Sequence, residues 1–138
     1  MSHDLDVSRS AKAWKVSAKH GAGEWLAERF TSLALIPLTA WCVWVAYRLA
    51  GAGFDAAIAF VTQPANASIL GLTLLVSVWH MYMGLKVIID DYIGKPGTRG
   101  FLLFLVFLLC AAVLVAGLGA LLLPYVLPQL VTHATQGA

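Results

Sequence analysis

Three long stretches of this chain carry no acidic or basic side chain. None falls between Arg29 and Arg48, none between Asp55 and Lys86, and none after Arg99. A charge in hydrocarbon is costly, so charge-free apolar runs of this size mark membrane crossings rather than the core of a water-soluble domain. Each run is long enough to cross roughly 30 Å of hydrocarbon at about 1.5 Å per residue. Sixty per cent hydrophobic residues, 12% charged residues and a mean hydropathy of +0.82 exclude a large soluble core. The expected fold is all-α, with three transmembrane helices at about Phe30–Leu49, Pro64–Tyr92 and Arg99–Leu123. This divides the chain into a polar N-terminal segment (1–28), a three-helix domain (29–123) and a short tail (124–138).

The basic residues orient the bundle. Arg9, Lys12, Lys15, Lys19 and Arg29 precede the first span, and Lys86, Lys95 and Arg99 flank the second connection, whereas only Arg48 borders the first. Lysine and arginine favour the cytoplasmic side, so the N-terminus is expected inside and the tail outside. Trp25 at one end of the first span, and Trp41, Trp44 and Tyr47 toward the other, suit interfacial belts. Asp4 and Asp6 lead a mostly polar N-terminus, which reads as no cleaved signal. The net charge of +2 resides beside the membrane and gives no reason to expect a nucleic-acid partner.

Local signals place the boundaries. Gly51-Ala52-Gly53 should stop the first helix, with Asp55 capping a short interfacial stretch through Thr62. Pro37 is tolerated inside a membrane helix, Pro64 suits a first helical turn, and Gly94-Lys95-Pro96-Gly97 reads as a tight turn. Ala112, Ala116 and Ala120 form a small-residue stripe that would let another helix come close. Cys42 and Cys110 both fall within spans, far from any paired-cysteine motif, and read as buried free thiols.

The chemistry concentrates on the second span. Thr73, Ser77, His80, Gly84, Val87 and Asp91 step by four and three and so share one helical face. An imidazole in hydrocarbon needs a partner, and haem iron suits a single neutral ring nitrogen. A hydrogen bond to a neighbouring helix would satisfy it equally. Gly84, one turn on, removes a side chain where a flat macrocycle would need room. Tyr92 follows Asp91, about 18 Å of helix beyond His80, near the inner interface. A second reading of the stripe is a face packed on other helices, with Asp91 and Tyr92 as interfacial anchors. One intramembrane histidine supplies one axial ligand, since His3, His20 and His133 lie outside the spans. A six-coordinate haem would take its other ligand from a different chain, which points to a subunit.

The pattern His80-x-x-x-Gly84 followed by Asp91-Tyr92, on the second of three helices, resembles the small hydrophobic membrane anchor of succinate dehydrogenase, the D-type anchor of respiratory complex II. Arg29-Phe30-Thr31-Ser32-Leu33-Ala34-Leu35 at the entry to the first span is similar to that family too, and the resemblance covers roughly residues 24–123. It implies that His80 ligates a haem b shared with a second anchor subunit, the C-type cytochrome b. It implies that Tyr92 hydrogen-bonds ubiquinone with Asp91 supporting the site, and that Arg29 meets a haem propionate. Asp90 is a competing acid, but spacing from His80 favours Asp91. The implied partners are that second anchor, an iron–sulfur subunit, a flavoprotein subunit and lipid. The chain would be a non-catalytic subunit of the enzyme, in the bacterial inner membrane or, as the alternative, the mitochondrial one. Two other readings stay open: a haem-b anchor of fumarate reductase or another quinone-linked dehydrogenase, and a non-redox three-helix membrane protein.

Overall fold

The computed structural model describes the backbone of residues 3–136 and the side chains of residues 22–130 and 132. Four helices follow one another: α1 (His3–Leu49), α2 (Phe54–Val61), α3 (Pro64–Tyr92) and α4 (Pro96–Gln136). Three contain stretches long and apolar enough to span a bilayer, at Ala22–Leu49, Pro64–Tyr92 and Pro96–Leu130. Among the described residues there is no strand.

The glycine and proline signals work as their chemistry requires. Gly51 and Gly53 take φ of +81° and +85°, a left-handed conformation that side chains with a Cβ resist, and the chain turns there between α1 and α2. Gly53, not Asp55, occupies the N-cap of α2, and no side chain caps it; Asp55 sits inside the first turn. Pro64 opens α3, and Asn66 Nδ2 donates to Phe60 O at 3.0 Å, which ties the end of α2 to that start.

Two helices outrun their expected limits. The first span is continuous with the preceding residues back to His3, because no proline interrupts that stretch and its Ala, Lys, Glu and Arg residues favour helix. Side chains through Gly21, including His3 and His20, lie outside the described residues, as does that of His133. At the other end α4 runs through Pro124 and Pro128 rather than stopping at Leu123. Each proline deletes one amide donor, a loss that membrane-associated helices tolerate. The continuation has a use: Tyr125 donates its hydroxyl to Val61 O at 3.0 Å, pinning the end of α2 against α4. Trp41 and Phe60, with ring centroids 6.0 Å apart, hold α2 to α1.

Helix α3 is central, packed against α1 on one side and α4 on another. The α3–α4 contact is close because Gly117 has no side chain: a Cβ there would stand 2.5 Å from Leu74 Cδ2. Ala112, Ala116 and Ala120 are exposed, so within this chain the approach depends on Gly117 and not on the alanine stripe. Gly117→Val should displace the Leu74 side chain and loosen the α3–α4 contact at a cost of about 1–3 kcal/mol, read as a lower melting temperature of the detergent-solubilised protein. Cys110 is buried and Cys42 half-buried, and both are free thiols.

Among the described residues only Val45, Val78, Ile89 and Cys110 are buried, and no buried polar or charged residue occurs. Large side chains such as Phe30, Tyr47, Trp79, Phe104 and Val115 face outward. That is the surface expected of a chain bathed in lipid and in other membrane helices.

Candidate functional site

The site is built where α1 crosses α3. Thr31 Oγ1 lies 3.0 Å from His80 Nδ1, and Lys86 Nζ pairs with Glu24 Oε1 at 2.5 Å. Glu24 and Thr31 are two turns apart on α1, as Lys86 and His80 nearly are on α3, so the two contacts set one antiparallel register. Between them opens a groove of about 430 Å³ whose walls include Trp25, Glu28, Trp79, Tyr82 and Met83.

His80 is half-buried, and its environment is lopsided. The core positions of α3, Val78 and Ile89, lie two residues before it and nine after. Those offsets correspond to rotations of about 200° and about 180°, so both core residues point to the far side of the helix. The stripe through Thr73, Ser77, His80, Gly84, Val87 and Asp91 therefore turns away from the core of this chain. Thr73, Ser77 and Gly84 are half-exposed, and Val87 and Asp91 are exposed. A Cβ built on Gly84 would meet nothing within 4 Å, so no packing inside this chain requires glycine there.

The imidazole has one nitrogen engaged and one free. Nδ1 meets Thr31, while Nε2 has no hydrogen bond among the described residues. No buried side-chain nitrogen or oxygen lacks a partner, so Nε2 must be reachable from outside this chain. A free imidazole nitrogen on an open helix face, next to an open glycine, is the donor and the space that a haem would need. Among the described residues no group of three or more His, Cys, Asp or Glu gathers.

The residues at the far end of α3 are arranged for different work. Asp90 approaches Arg99 Nε at 3.7 Å, a loose pair across the turn into α4. Asp91 has no such partner among the described residues and lies on the His80 face, whereas Tyr92 is 82% exposed beside it. Asp90 is thus occupied by the turn, and Asp91 and Tyr92 are the groups left open at this helix end.

Arg29 is not brought to either group. It stands about 200° around α1 from Thr31, and its guanidinium lies 5.4 Å from the centroid of the Trp25 ring. In the register set by Thr31 and Glu24 it is level with Tyr82, roughly 13 Å of helix short of Asp91. Arg29 and Asp91 form no direct pair.

Two features escaped the sequence reading: the role of Thr31 beyond its place in a motif, and the Glu24–Lys86 bridge. A signal existed. Glu24 and Thr31 are seven residues apart, hence on one face of α1, and both are polar next to an apolar run.

The succinate dehydrogenase/fumarate reductase transmembrane subunit family matches residues 5–126. A succinate dehydrogenase hydrophobic membrane anchor subunit of Rickettsia typhi is 30% identical over 100 residues, covering 72% of this chain and 80% of the relative. The subunit of the same description from Rickettsia conorii is 32% identical over 108 residues, covering 76% and 84%. No solved structure gives a significant match.

Proposed function

Because this chain belongs to the succinate dehydrogenase/fumarate reductase transmembrane subunit family, we propose that it supplies one axial histidine to a haem b shared with a second anchor subunit and one wall of a quinone-reduction site. As a succinate dehydrogenase membrane anchor it is a multi-pass protein of the bacterial inner membrane. The observation that carries the haem reading is His80: its Nε2 is free and reachable on an open face beside Gly84, on the opposite side of α3 from Val78 and Ile89.

Haem b, when bound, supplies a one-electron centre buried in the bilayer. This chain's part is to hold it. His80 offers a neutral nitrogen, Gly84 leaves room for the macrocycle, and Ser77, a turn away, is a polar neighbour within hydrocarbon. Of the assigned residues Arg29 has the least support, since a propionate contact requires its guanidinium to leave Trp25.

The second site lies at the end of α3. Reduction of a quinone to a quinol takes two electrons and two protons, and so needs a donor to a carbonyl oxygen and a route to water. Tyr92 offers a phenolic O–H, and Asp91, exposed at the helix end, orders water or relays protons. Ubiquinone is the assigned substrate. The electrons come from soluble complex II partners, an iron–sulfur subunit fed by a flavoprotein, docked on the cytoplasmic face where the basic residues gather. The anchor itself performs no succinate chemistry. The non-redox alternative has the Thr31–His80 bond in its favour, and against it stands the family to which the chain belongs.

The quinone assignment predicts that Tyr92→Phe slows quinone reduction. Loss of one hydrogen bond costs roughly 0.5–1.5 kcal/mol, or about a two- to twelvefold drop in rate. Reduction of artificial dyes by the soluble subunits should be unchanged. If Tyr92→Phe and Asp91→Asn both keep wild-type quinone turnover and inhibitor affinity, the two residues are only interfacial anchors.

A further inference from the structure

We infer that Thr31 is a positioning residue for His80: its hydroxyl oxygen accepts a hydrogen bond from Nδ1–H, which fixes the tautomer and ring orientation that leave Nε2 available to iron. This inference rests on the haem reading of His80 given above.

The hydroxyl of Thr31 has one hydrogen and two lone pairs. Three groups compete for them: Ala27 O at 2.9 Å, Glu28 O at 3.0 Å and His80 Nδ1 at 3.0 Å. The two carbonyl oxygens can only accept. A helical threonine that bonds back to the preceding turn therefore gives its hydrogen to them, as Thr39 does with Leu35 O at 2.6 Å and Ile36 O at 3.1 Å. The lone pair that remains faces Nδ1, and the imidazole nitrogen there must bring the hydrogen. In a neutral ring the other nitrogen is then the bare one.

The contact also fixes direction. Thr31 and His80 stand on different helices, so the bond exists only while α1 and α3 keep their register, which the Glu24–Lys86 pair holds from two turns away. Metal-bound histidines depend on such a second contact for orientation and for the basicity of the ligating nitrogen.

The test uses the assembled complex with Thr31→Val, Thr31→Ser and His80→Ala. Removing the acceptor while keeping the shape, Thr31→Val should speed haem loss about tenfold, in line with other removed second contacts. It should also raise the haem midpoint potential, because a less electron-rich imidazole favours the ferric state less. Thr31→Ser restores the acceptor and should restore both values. A Val variant with the wild-type potential and haem-loss rate overturns the inference, and so does a Ser variant that behaves like Val. Should Thr31→Val fail to assemble, the nitrogen-15 spectrum of the reduced, histidine-labelled wild-type complex decides: a proton on His80 Nδ1 supports the inference and a proton on Nε2 ends it. His80→Ala identifies the resonance and separates the two readings. If its low-spin b-type spectrum equals wild type, the haem assignment itself is wrong, whatever Thr31 does.

Discussion

Replacing His80 by alanine is expected to abolish the low-spin b-type signal in the reduced-minus-oxidised spectrum of the purified complex, or to convert it to a high-spin form. Among the described side chains His80 is the only histidine, and no cluster of ligating side chains forms. The substitution removes the one nitrogen presented on the Gly84 face and leaves Thr31 Oγ1 without its partner across the α1–α3 contact. The packing cost should be small, because His80 is only half-buried and the core residues Val78 and Ile89 are on the other side of α3. Assembly and dye-linked succinate oxidation by the soluble subunits should therefore survive while the spectrum changes. That separation is what distinguishes a ligand from a structural histidine, whose loss would lower stability and leave the optical spectrum as it was.

The second large effect concerns the chain without its partners. Only four described residues are buried, and the α3 face bearing Thr73, Ser77, His80 and Asp91 stays half-exposed or exposed although α1 meets it at His80 through Thr31. Lipid supplies no hydrogen bonds, and a polar group left unpaired in such a medium costs on the order of 1–3 kcal/mol. There is no hydrophobic force between helices in lipid to compensate, since the acyl chains are as apolar as leucine. Expressed alone, the chain should aggregate or be degraded, and coexpression with the second anchor and the two soluble subunits should restore a single homogeneous, haem-containing species. Size-exclusion chromatography with in-line absorbance reads both outcomes. A monodisperse monomer from this chain alone, carrying haem with a bis-histidine spectrum, would contradict the shared-site assignment.

The membrane architecture was legible in the sequence because its causes are local. Desolvation penalises a charge wherever it lies, so the charge gaps alone located the spans of α1, α3 and α4. Pro64 opens α3 because its missing amide hydrogen costs nothing in a first turn, and Gly51 turns the chain because it lacks a Cβ. The stripe through His80 and Asp91 followed from helical periodicity, which depends only on spacing along one helix. Where a local rule had to compete with tertiary contacts it failed: the third span was expected to end at about Leu123, yet α4 continues and Tyr125 secures α2.

What spacing on one helix cannot encode is how that helix meets another. The register that sets Thr31 against His80, and Glu24 against Lys86, is chosen by side chains interlocking between α1 and α3. It also leaves Arg29 level with Tyr82 and away from Asp91, although both had been placed at the same end of the bundle. The approach of α3 to α4 rests in the same way on Gly117 meeting Leu74, a pairing no periodicity in either helix reveals. Sequence by itself determined that the chain spans a membrane and which face carries the histidine. Only the packing of one helix on the next decided which nitrogen of that histidine is held and which is left free.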